Sequence, residues 1–220
     1  MTSYCVQIMQ CHLCTREFAH LAVGSSNTFG AVFFTDGSIQ APMYDEGDRL
    51  AKCPHCRKWL WLDEALPTRL MDADEYFDNV GGIMHEFPLA SSALFGDSIV
   101  EALHSQPWRT RADEKYLRLR AWWYFNHLEP GECKRSAEDV RNNRAALLRL
   151  LDETDEYERI LKAEALRHSG SFAEATAILH QRPISAQHSQ WAEAIETLAK
   201  RGDMEVREFP AKPRDQQQST

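Results

Sequence analysis

The chain predicts an α+β architecture, a small antiparallel β region followed by an all-helical one, on three observations. Residues 1–66 hold two C-x-x-C dyads, Cys11-His12-Leu13-Cys14 and Cys53-Pro54-His55-Cys56, set among short β-branched and aromatic runs. From Arg111 onward, apolar residues recur at helical spacing, with capping and turn residues at the breaks. Residues 67–110 lose both periods, which predicts a connector with short helices near Asp74–Asn79 and Asp97–Ser105.

In chain order, Tyr4 to Gln10 has the content of a strand feeding the first dyad, and Phe18, His20 and Ala22 alternate on the way out. Thr28 to Pro42 reads as a hairpin in which Asp36-Gly37 supplies the positive φ angles of a two-residue turn. An acidic loop, Tyr44-Asp45-Glu46-Gly47-Asp48, and then Leu50-Ala51-Lys52 lead to the second dyad. Trp59 and Trp61 follow it in alternation with Lys58, Leu60 and Leu62, and are expected to pack rather than to stack on a ligand.

Cys11, Cys14, Cys53 and Cys56 are the candidate ligands of one structural Zn2+ per chain. A tight C-x-x-C turn aims two sulfurs at one ion, and two such turns complete a tetrahedral shell. Read alone, Cys53-Pro54-His55-Cys56 is also the pattern of an oxidising thiol oxidoreductase. That chemistry needs a depressed thiol pKa and a strand leading straight into a helix, whereas here a turn-rich stretch precedes the motif and a second dyad lies upstream. His12 and His55 are expected to hydrogen-bond a sulfur or face solvent. Cys5 is read as a strand residue, and Cys5 and Cys133 as free thiols in a reducing compartment.

The first long helix is expected from Ala112 to Leu128, ended by Pro130-Gly131, with Trp122, Trp123, Tyr124 and Phe125 turning apolar surface in more than one direction. Arg111, Lys115 and Arg118 form a basic stripe along it, diluted by Asp113 and Glu114 and read as a solvated face. Ser136 and Asp139 make a near capping box for a second helix carrying Val140, Leu147, Leu148 and Leu151. A third helix, Asp155 to His168, groups Tyr157, Ile160, Leu161 and Ala165. Ser169-Gly170 turns the chain, and Ser171 with Glu174 makes a full capping box for a fourth helix bearing Phe172, Ala175, Ile178 and Leu179.

Two dyads joined by small antiparallel strands resemble a zinc ribbon over residues 1–65, with a hairpin inserted between the knuckles. The run from Leu161 to Ala175, with Gly170, Phe172, Leu179 and Pro183, resembles one tetratricopeptide (TPR) unit. Leu198 and Gly202 repeat Leu166 and Gly170 at one fixed step, Trp191 takes an early aromatic position, and Arg207 then breaks the pattern. The domains expected are therefore a ribbon-like β domain at 1–66, a connector at 67–110, a TPR-like helical domain at 111–209 and a disordered tail at 210–220. That order resembles bacterial proteins of uncharacterised function, and it implies a helical surface for another protein.

Formal net charge is −8, and the acidic excess runs through both halves, which argues against a nucleic-acid partner. No basic leader and no long apolar run are present, so a cytoplasmic protein without membrane contact is expected. The chain shows no H-E-x-x-H, G-x-S-x-G or glycine-rich phosphate loop, and four cysteines would close the shell that a catalytic zinc keeps open. The sequence thus predicts a non-enzymatic zinc-binding interaction protein. Two alternatives stay open at this point, a nucleic-acid-binding ribbon and a thiol redox protein using Cys53 and Cys56.

Overall fold

A computed structural model describes residues 2–78, 86–92, 96–127 and 135–209. Its strands are β1 (Ser3–Gln10), β2 (Glu17–Ser25), β3 (Val32–Phe34), β4 (Ile39–Gln40), β5 (Leu50–Lys52), β6 (Trp59–Trp61), β7 (Leu66–Asp72), β8 (Ser91–Ser92) and β9 (Glu208–Phe209). Its helices are α1 (Ala73–Asp78), α2 (Asp97–Ser105), α3 (Arg111–His127), α4 (Ala137–Leu150), α5 (Glu156–Arg167), α6 (Phe172–His180) and α7 (Ser189–Lys200). Small antiparallel sheets thus precede a helical region, the α+β order expected. The chain forms two compact units, residues up to Phe29 with Ala41–Asp139, and Gly30–Gln40 with the residues from Val140 onward. Residues 79–85, 128–134 and 210–220, which hold Asn79, Gly81-Gly82, the end of the first long helix at Leu128 with Pro130-Gly131, Cys133 and the polar tail, lie outside the described residues.

In the first unit, β1 and β2 pair antiparallel about the first dyad, with Val6 opposite Leu21 and Ile8 opposite Ala19. β7 adds to the other edge of β1. Strand pleating sends Val6 and Ile8 to one face, where they bury with Ala19, Met71 and Tyr76. β5 and β6 repeat the plan about the second dyad, and β8 adds to β5. Trp61 packs as expected: it is buried, its Nε1 donates to the Pro107 carbonyl at 2.8 Å, and the Arg49 and Arg109 guanidiniums lie over its ring. On α3, Leu117, Ala121, Trp122 and Phe125 form the buried side.

β7 was not legible as a strand. Pro67 lacks an N–H, Leu66 and Leu70 are exposed, and of its seven residues only Met71 is buried. Pairing with β1, rather than its own pattern, makes it a strand.

In the second unit, the hairpin β3–β4 joins β9 in one small sheet, with Phe33 opposite both Ile39 and Phe209. The two-residue turn expected at Asp36-Gly37 is instead a three-residue loop. Gly37 N–H donates to the Phe34 carbonyl at 2.9 Å, Phe34 N–H donates to the Ser38 carbonyl at 3.0 Å, and Gly37 has φ 81° whereas Asp36 stays at negative φ. Asp36 Oδ1 instead accepts from the Ser38 backbone N–H at 3.0 Å and its hydroxyl at 2.6 Å, which favours the wider loop.

α5 packs against α6 and α7 with Ile160, Leu161, Ala175, Leu179 and Ile195 buried. Asp155 caps α5 by accepting from Glu158 N–H at 2.9 Å. Gly170, at φ 81°, makes the turn to α6. The capping box expected at Ser171 does not form, for the Ser171 side chain accepts no bond from the helix. The one at Ser136 does: Ser136 Oγ accepts from Asp139 N–H at 3.0 Å, and Asp139 Oδ2 from Ser136 N–H at 2.8 Å.

Thr35, on the hairpin loop, is buried and has every polar atom engaged. Its N–H donates to the Arg207 carbonyl at 2.8 Å, its carbonyl accepts from Trp191 Nε1 at 2.7 Å, and its hydroxyl donates to Glu164 Oε1 at 2.5 Å. Glu164 in turn forms a fully buried fork with Arg167, whose guanidinium also donates to the carbonyls of Asp203 and Glu205. A buried charge is tolerable only when paired and hydrogen-bonded, and here each donor meets an acceptor.

Candidate metal centre

Each dyad sits at the tip of a β-hairpin, the first between β1 and β2, the second between β5 and β6. The two tips have the same hydrogen bonds. Cys11 N–H donates to the Arg16 carbonyl at 3.0 Å, and Cys53 N–H to the Lys58 carbonyl at 3.0 Å. Thr15 N–H donates back to Cys11 at 2.8 Å, and Arg57 N–H to Cys53 at 3.0 Å. Thr15 and Arg57 both take φ 60°, a left-handed conformation that costs a non-glycine residue roughly 1–2 kcal/mol. Strain placed at the same step of both tips marks a geometry imposed by the site.

The four sulfurs lie within 4.8 Å of one another, with Cys11 to Cys56 at 4.0 Å and Cys14 to Cys53 at 3.9 Å. A disulfide requires about 2.05 Å, so these cysteines are free thiols. Four sulfurs each about 2.3 Å from one ion stand about 3.8 Å apart at the corners of a tetrahedron, close to the spacing found. The structure thus brings together all four expected ligands. Cys11 and Cys53 are fully buried in a cluster with Met9, Phe18, Leu60 and Ala65.

Burial pushes the Cys53 thiol up to about 12 and the Cys11 thiol upward as well, because a lone thiolate is poorly solvated there. The Arg16 backbone N–H beside Cys14 holds that thiol below its ordinary value. A redox nucleophile needs an exposed sulfur of depressed pKa at a helix N-terminus, and Cys53 is buried, pushed upward and on a strand-to-strand turn. A cation would reverse the preference of the buried sulfurs by favouring thiolate.

Of the knuckle histidines, His12 is exposed to solvent as expected and His55 departs from expectation. His55 Nε2 donates to the Glu17 carbonyl at 2.7 Å, tying the second knuckle to β2, and His12 lies 3.9 Å from Glu64. Neither bonds a sulfur. Cys5 is a half-buried residue of β1 outside the sulfur cluster. On α3, Arg118 pairs with Glu114 at 2.7 Å and lies over the Trp108 ring, so at this position the stripe is covered and paired rather than solvated.

Three residues were overlooked. Arg16 stands two residues after Cys14, and Arg57 and Lys58 one and two residues after Cys56, and all three are exposed. A cation in the two positions after each dyad is a signal the sequence did hold.

No family model, curated protein or solved structure matches the chain.

Proposed function

We propose that Cys11, Cys14, Cys53 and Cys56 hold one structural Zn2+, and that the protein is a non-enzymatic interaction protein whose helical unit offers a surface to a protein partner. The convergence of four sulfurs within 4.8 Å on two matched hairpin tips carries this reading. Tetrahedral thiolate sets select zinc or iron, and four protein ligands leave no position for water or substrate. Bound metal would tie two hairpins whose own cores are small, so its binding free energy becomes folding free energy.

The α5–α6 pair supports the partner half of the reading. Ala163 and Ala165 on α5 and Ala175 on α6 are buried, and Gly170 makes the turn as in a TPR unit, with α7 following. Among the described residues, no helix is long and apolar enough to cross a membrane. A reducing compartment such as the cytoplasm would keep the four thiols available to a metal, and that location fits this reading.

Metal analysis with thiol titration, on protein purified without chelator and melted before and after EDTA, tests the assignment. One zinc per chain, four masked thiols and a lower melting temperature after EDTA are expected. Metal-free protein with Cys53 and Cys56 oxidised as a pair would instead support the thiol redox alternative.

A further inference from the structure

The metal end of the first unit concentrates positive charge on an otherwise acidic protein. Arg16 and Lys58 hold equivalent places on the two knuckles, since each supplies the carbonyl that accepts from the first cysteine of its dyad. Arg57 occupies the left-handed step beside Lys58. The sulfur distances hold both tips against one cluster, so the three cations border one site. Among the described residues, none of the three has an ion-pair or side-chain hydrogen-bond partner.

The acidic groups nearest in sequence are already engaged. Glu17 accepts from Thr68 Oγ at 2.7 Å, and Asp63 and Glu64 each take Arg109 at 2.9 Å. A divalent ion held by four thiolates carries about −2, which three cations more than offset. Apolar surface adjoins the charge. Leu13, at the tip of the first knuckle, is 54% exposed, and Leu66, paired to Gln10 at the same end, is 69% exposed.

We infer that this end is a docking surface for an acidic segment of a protein partner, one that alternates carboxylates with apolar side chains. Arg16 and Arg57 can each take a carboxylate in a bidentate fork, Lys58 adds a point charge, and Leu13 and Leu66 cover apolar side chains. Charge complementarity selects an anion, and the leucines select a polypeptide over a phosphate backbone. A single-strand nucleic-acid face would instead present open aromatic rings, whereas Trp61 is buried and the Trp59 ring is covered by Lys52. Net charge of −8 repels a long polyanion but leaves a short acidic segment free to use the local patch. This surface is separate from the helical one proposed above and does not depend on it.

The test uses the full metal-loaded chain and a short fluorescent peptide of alternating Glu, Asp and Leu, with oligothymidylate as the competing probe. Wild-type protein is expected to bind the peptide with an affinity that falls as salt rises. The combined R16S/R57S/K58S variant should retain its metal and lose affinity by about tenfold or more, on the scale of several charge contacts. L13S/L66S should weaken binding while preserving the salt dependence. Unchanged affinity in the triple variant overturns the inference. So does loss of metal from that variant with no peptide bound by wild type, which would assign the cations to balancing the thiolates. Binding of oligothymidylate in place of the peptide overturns it in favour of nucleic acid.

Discussion

Each unit builds its centre from polar groups, and the two do so in different ways. In the first, four sulfurs from two hairpin tips converge within 4.8 Å, each tip contributing two sulfurs from four consecutive residues. In the second, Thr35 meets Glu164 across 129 positions of sequence, and Glu164, Arg167, Trp191 and the Arg207 backbone complete the network from separate elements. A tetrahedral shell depends on every ligand at once. The hydrogen-bonded network is distributed, for Arg167 keeps the carbonyls of Asp203 and Glu205 if Glu164 is lost. Damage to the first centre should therefore be all-or-none, and damage to the second graded.

The sharpest break in the comparison is Cys53→Ser. Metal content should fall to zero and β1, β2, β5 and β6 should lose amide protection, because structural zinc in small modules contributes about 10–16 kcal/mol of apparent binding. Helices α5 to α7 should keep theirs. Equal loss in both units, measured by hydrogen exchange, would mean that they fold as one.

Glu164→Ala leaves Arg167 buried without its carboxylate, and breaking such a pair costs about 3–5 kcal/mol. Urea unfolding of the second unit should report this with metal content unchanged. Loss of metal in that variant would deny the independence of the two centres.

Next in size is a pH effect confined to the second unit. Burial, with Arg144 and Arg167 nearby, holds His168 down to about 4, below its unfolded value of 6.5. Between those values the unfolded chain binds the proton and the folded chain does not, so this contribution is complete above 6.5 and is lost as pH falls toward 4. The full loss is about 3 kcal/mol, and the slope of unfolding free energy against pH over that window should flatten in His168→Gln. An unchanged slope assigns the effect to another group.

Thr35→Val removes a hydroxyl that donates to Glu164 and accepts from Arg207 N–H, at a cost of about 1–3 kcal/mol. The smallest contrast is between caps. Ser136→Ala should cost about 1 kcal/mol and Ser171→Ala close to nothing, because only Ser136 bonds its helix. Equal thermal shifts in the two variants would contradict the hydrogen bonds described.

Legibility followed the range of the interaction. The dyads, the Ser136–Asp139 box and the helix stripes were readable because each is complete within a few residues. The Ser171–Glu174 pattern is equally local and did not form, since Ser171 departs from capping geometry at φ −82°, ψ 58°. Asp36-Gly37 located a turn correctly but not its width, which the Asp36 bonds to Ser38 decide. β7 was missed because an edge strand with exposed leucines and a proline shows no alternation to read.

By itself, then, the sequence determined the four clustered cysteines, the order of β region before helices and the positions of the turns, all set by covalent spacing and local torsion. Only the tertiary structure decided that the hairpin at Gly30–Gln40 completes the helical unit, and that Arg16, Arg57 and Lys58 are left exposed without an ion-pair partner among the described residues. Those outcomes depend on which distant groups satisfy a buried hydroxyl or leave a cation unpaired, and desolvation acts on neighbours in space regardless of their separation along the chain.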